Sequence, residues 1–135
     1  YRWYDARGIV PMVPFGHGGS YTTFDWGPPE VKGEGTDITV SVSVTNTGHR
    51  RGSEVVQVYV APPEGGVPRP PKELAGFAKL TLDPGETGTA EIELNERSFP
   101  RWDPEAHCWT VDPGQYQLVV AASSTDLRSA VTVEV

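Results

Sequence analysis

From residue 36 the chain alternates. Ile38, Val40, Val42 and Val44 are separated by Thr39, Ser41 and Ser43, so one face is apolar and the other small and polar. A period of two places successive side chains on opposite sides of an extended backbone, and no helix satisfies it. Asn46-Thr47-Gly48 ends the run as a turn. In residues 53–61, Val56, Val58 and Val60 take one face, and Val55, Gln57 and Tyr59 the other. Residues 72–82 carry Leu74, Leu80 and Leu82. Residues 87–94 turn Ala90, Ile92 and Leu94 inward and Glu91 and Glu93 outward. Phe99, Trp102 and Trp109 fall in a strand broken by Asp103-Pro104-Glu105. Tyr116, Leu118, Val120 and Ala122 mark the next strand, and Val131, Val133 and Val135 the last.

Turn signals such as Asp83-Pro84-Gly85 and Asp112-Pro113-Gly114 separate these runs. Five prolines keep residues 62–71 out of any sheet. No helical period is seen. About seven short strands with turns every ~10 residues predict an all-β, immunoglobulin-like antiparallel β-sandwich. Tyr116, just after Pro113-Gly114, suits either a tyrosine-corner hydrogen bond or an ordinary core position.

Residues 1–30 read differently, as an irregular arm or linker before a domain over 31–135. Tyr1, Trp3, Tyr4, Phe15, Tyr21, Phe24 and Trp26 concentrate there among Gly and Pro. Glycines allow close backbone approach, and bulky aromatics need something to pack against. A short strand through residues 21–26 suits Thr-Thr-Phe, and Gly27-Pro28-Pro29 breaks it. The arm is expected to pack on a surface outside this chain through Trp3, Tyr4, Phe15, Tyr21 and Phe24. Alone, residues 1–20 are expected to be partly disordered or borrowed into a weak dimer. The opening Tyr1-Arg2-Trp3-Tyr4-Asp5, without Met or leader, implies a piece of a longer chain.

Eleven basic against 18 acidic residues give a net charge of −7, with no basic cluster beyond Arg50-Arg51. That balance excludes a phosphate-tracking nucleic-acid surface and argues against an anionic membrane. No apolar run reaches the ~18 residues of a membrane helix. The single Cys108 excludes an internal disulfide and leaves the compartment open. On a strand it reads as a small core hydrophobe rather than a nucleophile.

No cofactor or metal site is expected. His17, His49 and His107 are far apart, and His107 and Cys108, adjacent on a strand, point to opposite faces. The loop Gly16-His17-Gly18-Gly19-Ser20 lacks the lysine and helix of a phosphate cradle. Paired carboxylates for glycoside hydrolysis must flank a sugar cleft. Glu91 and Glu93 alternate with core residues as a solvated face, and Asp103 and Glu105 flank a proline in a turn. Trp3, Trp26, Trp102 and Trp109 serve either as a carbohydrate platform or as buried packing groups.

The ordered series Tyr1-Arg2-Trp3-Tyr4-Asp5, Pro14-Phe15-Gly16-His17-Gly18 with Ser20-Tyr21-Thr22-Thr23-Phe24, Val44-Thr45-Asn46-Thr47-Gly48 and residues 52–60 resembles glycoside hydrolase family 3. Lys72-Glu73-Leu74, Gly76-Phe77, Lys79-Leu80, Pro84-Gly85-Glu86 and Pro113-Gly114 with Tyr116 continue the resemblance along the whole chain. Gly19 departs from it, standing where that family usually has Leu. The resemblance implies a C-terminal fibronectin type III-like domain with its preceding linker. It also implies a parent retaining β-glucosidase whose nucleophilic Asp and acid/base lie in domains before this region. No catalytic residue carries over to this chain. The implied role is structural, packing on the catalytic domains of the same parent chain. The alternative is a carbohydrate- or surface-binding module using exposed aromatics.

Overall fold

The computed structural model describes residues 1–135. In chain order the elements are α1 (Arg2–Arg7), β1 (Phe24–Trp26), β2 (Glu30–Glu34), β3 (Asp37–Asn46), β4 (Gly52–Ala61), β5 (Glu73–Leu82) and β6 (Thr87–Leu94). A 3-10 turn at Glu96–Ser98 follows, then β7 (Arg101–Asp103), β8 (Cys108–Thr110), β9 (Gln115–Ala121) and β10 (Leu127–Glu134). In the first sheet, β6 pairs along one edge of β3 while β1 and β2 share the other. The second sheet runs β10-β9-β4-β5, and β7-β8 form a separate hairpin. All pairs are antiparallel.

The two sheets face each other across the core that the alternation demands. Ile38, Val40, Val42 and Val44 meet Val56, Val58 and Val60, with Ala90, Ile92, Leu94, Leu118 and Val120 completing the layer. Glu91 and Glu93 point to solvent, as expected. Ten strands form rather than about seven: the short strand expected over residues 21–26 is β1, the broken strand is the pair β7 and β8 of three residues each, and β2 is added. At five residues β2 carries too few alternations to register as a strand.

Two polar groups lock the sandwich's ends. Asn46 is fully buried, and its Nδ2 donates to Arg50 O at 2.8 Å and Leu82 O at 2.9 Å. Its Oδ1 accepts from Thr22 Oγ1 at 2.6 Å and Gly48 N at 3.1 Å. One amide thereby holds a turn, a strand end and the arm's last residues. At the other end the Tyr116 hydroxyl donates to Asp112 O at 2.8 Å, and its ring meets Phe99 edge-on at 5.4 Å. The tyrosine corner is therefore made. Tyr116→Phe is expected to cost about 1 kcal/mol in urea unfolding, the usual net worth of one buried hydrogen bond.

Two expectations need correction. Residues 2–7 form a helix, capped by Gly8 in the left-handed region at φ 62°. Six residues are too few to show a helical period. The arm is also shorter than residues 1–30, since Phe24–Trp26 pairs with Val44–Asn46 and Glu30 begins β2.

Candidate functional site

Strands β4 and β9 are buried on both faces. Away from the core, Gln57, Tyr59, Val119 and Ala121 would lie open to water in a bare sandwich. The arm covers them. Tyr1 meets the Tyr59 ring edge-on at 5.6 Å and stacks on Phe15 at 4.8 Å. Leu74 N donates to the Tyr1 hydroxyl oxygen at 2.7 Å. On α1, Asp5 pairs with Lys72, whose ammonium lies 5.7 Å from the Tyr59 ring centre, and Arg2 pairs with Glu73 at 3.2 Å.

The Gly-rich loop closes the other side. Ser124 N donates to Phe15 O at 2.9 Å. Gln57 Nε2 donates to Gly16 O at 3.1 Å and to Ala122 O at 2.8 Å, while its Oε1 accepts from the Tyr59 hydroxyl at 2.6 Å. Every polar atom of the Gln57 amide is used, which is what lets it be buried. Gly16 sits at φ 76°, and a Cβ there would lie 2.5 Å from Gln57 Oε1. Conformation and space both require glycine at that position.

The arm is thus pinned to its own sandwich rather than left without a partner face. Tyr1 and one side of Phe15 serve this seam. Phe24 packs against the main core and leaves the set expected to face outward. Trp3, Tyr4 and Tyr21 remain exposed, Tyr21 at 94%. Ile9, Val10, Met12 and Val13 join them, with Met12 at 97% and Val10 at 89%. These four aliphatic side chains lie outside the aromatic set expected to face outward. The signal that finds them is the absence of any Asp, Glu, Lys or Arg from residue 8 to residue 24.

The other candidates fall to turns and surfaces. Asp103 accepts from Glu105 N at 2.9 Å and Ala106 N at 3.1 Å. These bonds, with Arg101 nearby, hold its carboxyl below the usual range, the opposite of what a general acid needs. Glu54 is pushed up by burial, with Asp126 adding to it and the Val55 N–H and Arg128 opposing; Asp126 is itself paired with Arg128 at 2.8 Å. No three His, Cys, Asp or Glu side chains gather. Cys108 is exposed and not a core group, because the β7-β8 hairpin stands off the core. Trp102 and Trp109 are exposed on that hairpin as a cross-strand pair, and Trp26 is half-buried with Arg128 over its ring. No helix is long and apolar enough to cross a membrane.

Residues 54–124, more than half of the chain, match the family described as the fibronectin type III-like domain. The chain belongs to that family. It is 49% identical over 136 residues to a β-glucosidase of Rhizobium radiobacter, an alignment covering 98% of this chain and 17% of that protein. It is 43% identical over 134 residues to an exo-alpha-(1->6)-L-arabinopyranosidase of Bifidobacterium breve, covering 98% of this chain and 18% of that one. All of this fibronectin type III-like chain superposes on 20% of the GH3 β-glucosidase of Bifidobacterium adolescentis, with a TM-score of 0.95 and 38% identity. It therefore spans less than a quarter of each relative. That the sandwich resembles part of family 3 glycosidases agrees with the sequence motifs.

Proposed function

We propose that this chain is the non-catalytic C-terminal accessory domain of a family 3 glycoside hydrolase, and that its arm docks on the catalytic domains of the same parent chain. The parent is read as a retaining β-glucosidase acting on terminal β-D-glucosides, with both catalytic carboxylates outside residues 1–135. One observation carries the docking role. Eight of the thirteen large apolar side chains left exposed lie between residues 3 and 21. Six of the eight lie within residues 8–24, where no Asp, Glu, Lys or Arg interrupts them, and such a concentration of exposed apolar groups is the composition of a protein interface centre.

The seam supports the reading, because an arm ordered in advance loses less entropy when it docks. Relatives named for two different glycosidic activities carry similar domains, which suits a role common to both rather than one in substrate choice. The domain therefore acts as a brace, with residues 1–23 as the joint and residues 24–135 as the sandwich behind it. Without the catalytic domains the same face is open to a second copy, so weak dimerisation through the arm accompanies the proposal.

The test replaces Val10, Met12 and Val13 together by Ser in the full-length glycosidase. The thermal midpoint of the whole enzyme is expected to fall, while the 135-residue chain alone keeps its own midpoint. These side chains are exposed, so their loss touches nothing inside the sandwich. A full-length enzyme whose midpoint does not move would overturn the docking role.

A further inference from the structure

Away from the arm's apolar patch, a second concave surface has a different chemistry. A groove of about 770 Å³ lies between the start of α1, the first residues of β5, the 3-10 turn and the β7-β8 hairpin. Trp109, Arg2, Arg97, Glu73, Glu96 and Ser98 carry its chemistry. Its size is that of a small-molecule site.

The hairpin presents Trp109 deliberately. Trp109 is 68% exposed, and Trp102, opposite it, meets its ring edge-on at 5.7 Å and 74°. Arg101 anchors the hairpin, donating from Nε to Asp112 Oδ2 at 2.8 Å and from Nη2 to Asp112 Oδ1 at 2.9 Å. The turn between the strands is tied by Asp103 as described above. A rigid support therefore holds an indole in water where the core gains nothing from it.

The charges around the indole decide what it can receive. Two guanidiniums and two carboxylates line the groove, so it has no net sign. An anionic or cationic ligand would want a field of one sign. A protein surface would bury four charges at the centre of its interface, where charge is costly and depleted. A neutral polyol meets neither objection. Each hydroxyl is both donor and acceptor, so guanidinium and carboxylate groups can be satisfied on neighbouring hydroxyls. Glu73 is held by Arg2 and Arg69, at 3.2 Å each, while Glu96 and Arg97 have no ion-pair partner and are free to bind. The C–H face of a pyranose with equatorial hydroxyls is apolar and faintly positive, matching the negative face of the indole.

We propose that this groove binds a neutral β-linked oligosaccharide, with one pyranose ring on Trp109 and its hydroxyls on Arg97 and Glu96. The choice of β-linked glucose rests on the reading of the parent as a β-glucosidase; the presence of a sugar site does not.

The 135-residue chain is titrated with cellotetraose, laminaritetraose and maltotetraose, following indole fluorescence and the indole N–H resonances. Saturable binding of at least one β-linked sugar is expected, with a Kd of about 1 mM. Trp109→Ala and Arg97→Ala each weaken it about tenfold or more, and Trp3→Ala leaves it unchanged. Trp109 and Arg97 are both exposed, so either variant keeps the fold, and circular dichroism verifies it. No saturation by any tetrasaccharide at about 20 mM, well above that Kd, overturns the proposal. So does a Trp109→Ala variant that binds like the wild type. Binding of maltotetraose alone would overturn the β-linked assignment. The Val10, Met12 and Val13 replacements lie outside the groove, so failure of arm docking and failure of sugar binding are read separately.

Discussion

Tyr59→Ala is expected to lower the free energy of unfolding by about 3–5 kcal/mol, the usual range for removing a fully buried aromatic ring. Tyr59 is completely buried although it faces away from the main core, because the arm covers it. Losing the ring removes the edge contact of Tyr1, the surface under the Lys72 ammonium and the donor to Gln57. All three contacts tie residues 1–16 to the second sheet. The variant therefore differs from an equally costly change in the main core. Phe99→Ala weakens the whole sandwich but leaves the seam made, whereas Tyr59→Ala also frees the arm. Urea unfolding gives the first quantity. Limited chymotrypsin cleavage under native conditions gives the second, through accelerated nicking between residues 1 and 21. A loss below about 1 kcal/mol, the worth of a single hydrogen bond, would mean that the seam is not part of the cooperative fold.

That seam was also the part least legible in the sequence, for a physical reason. A strand with one buried face writes an alternating pattern, as β3 and β6 do; β6 is legible to the residue and β3 to within one residue at each end. A strand buried on both faces does not alternate. Residues 118–121 read Leu-Val-Val-Ala without a polar interruption, and β4 places Gln57 and Tyr59 opposite its valines. An unbroken apolar run means that something lies on each side. Here that something is the arm, and because the sequence marks no second face within the chain, its aromatics alone point to a foreign surface. The helix α1 was invisible because six residues make under two turns. Cys108 misled because membership of a strand implies burial only when the strand belongs to a packed sheet. The family motifs were legible throughout, and they include Gly16, whose left-handed backbone against Gln57 gives that glycine a structural reason.

Raising the pH should open the same seam. Burial, with Tyr1 and Asp5 adding to it, pushes the Tyr59 hydroxyl up to about 12 from its ordinary value of 10.0. In the unfolded chain the phenol loses its proton near pH 10, while in the folded chain it keeps it until about pH 12. Across that window the unfolded state binds fewer protons than the folded one, so stability falls as pH rises. Below pH 10 the contribution is intact. At about 1.4 kcal/mol per unit of displacement, the loss is about 2–3 kcal/mol by pH 12. Tyr116 is raised by burial in the same direction, so the wild-type curve carries both phenols. Tyr59→Phe isolates the one under the arm, since it keeps the ring and removes the proton. Urea midpoints measured from pH 8 to pH 12 should give a difference curve, wild type minus Tyr59→Phe, that is level up to pH 10 and then declines. Native-state cleavage of the arm should rise over the same interval in the wild type only. A difference curve level to pH 12 would mean that the Tyr59 hydroxyl is open to water, and that the arm does not seal the second sheet.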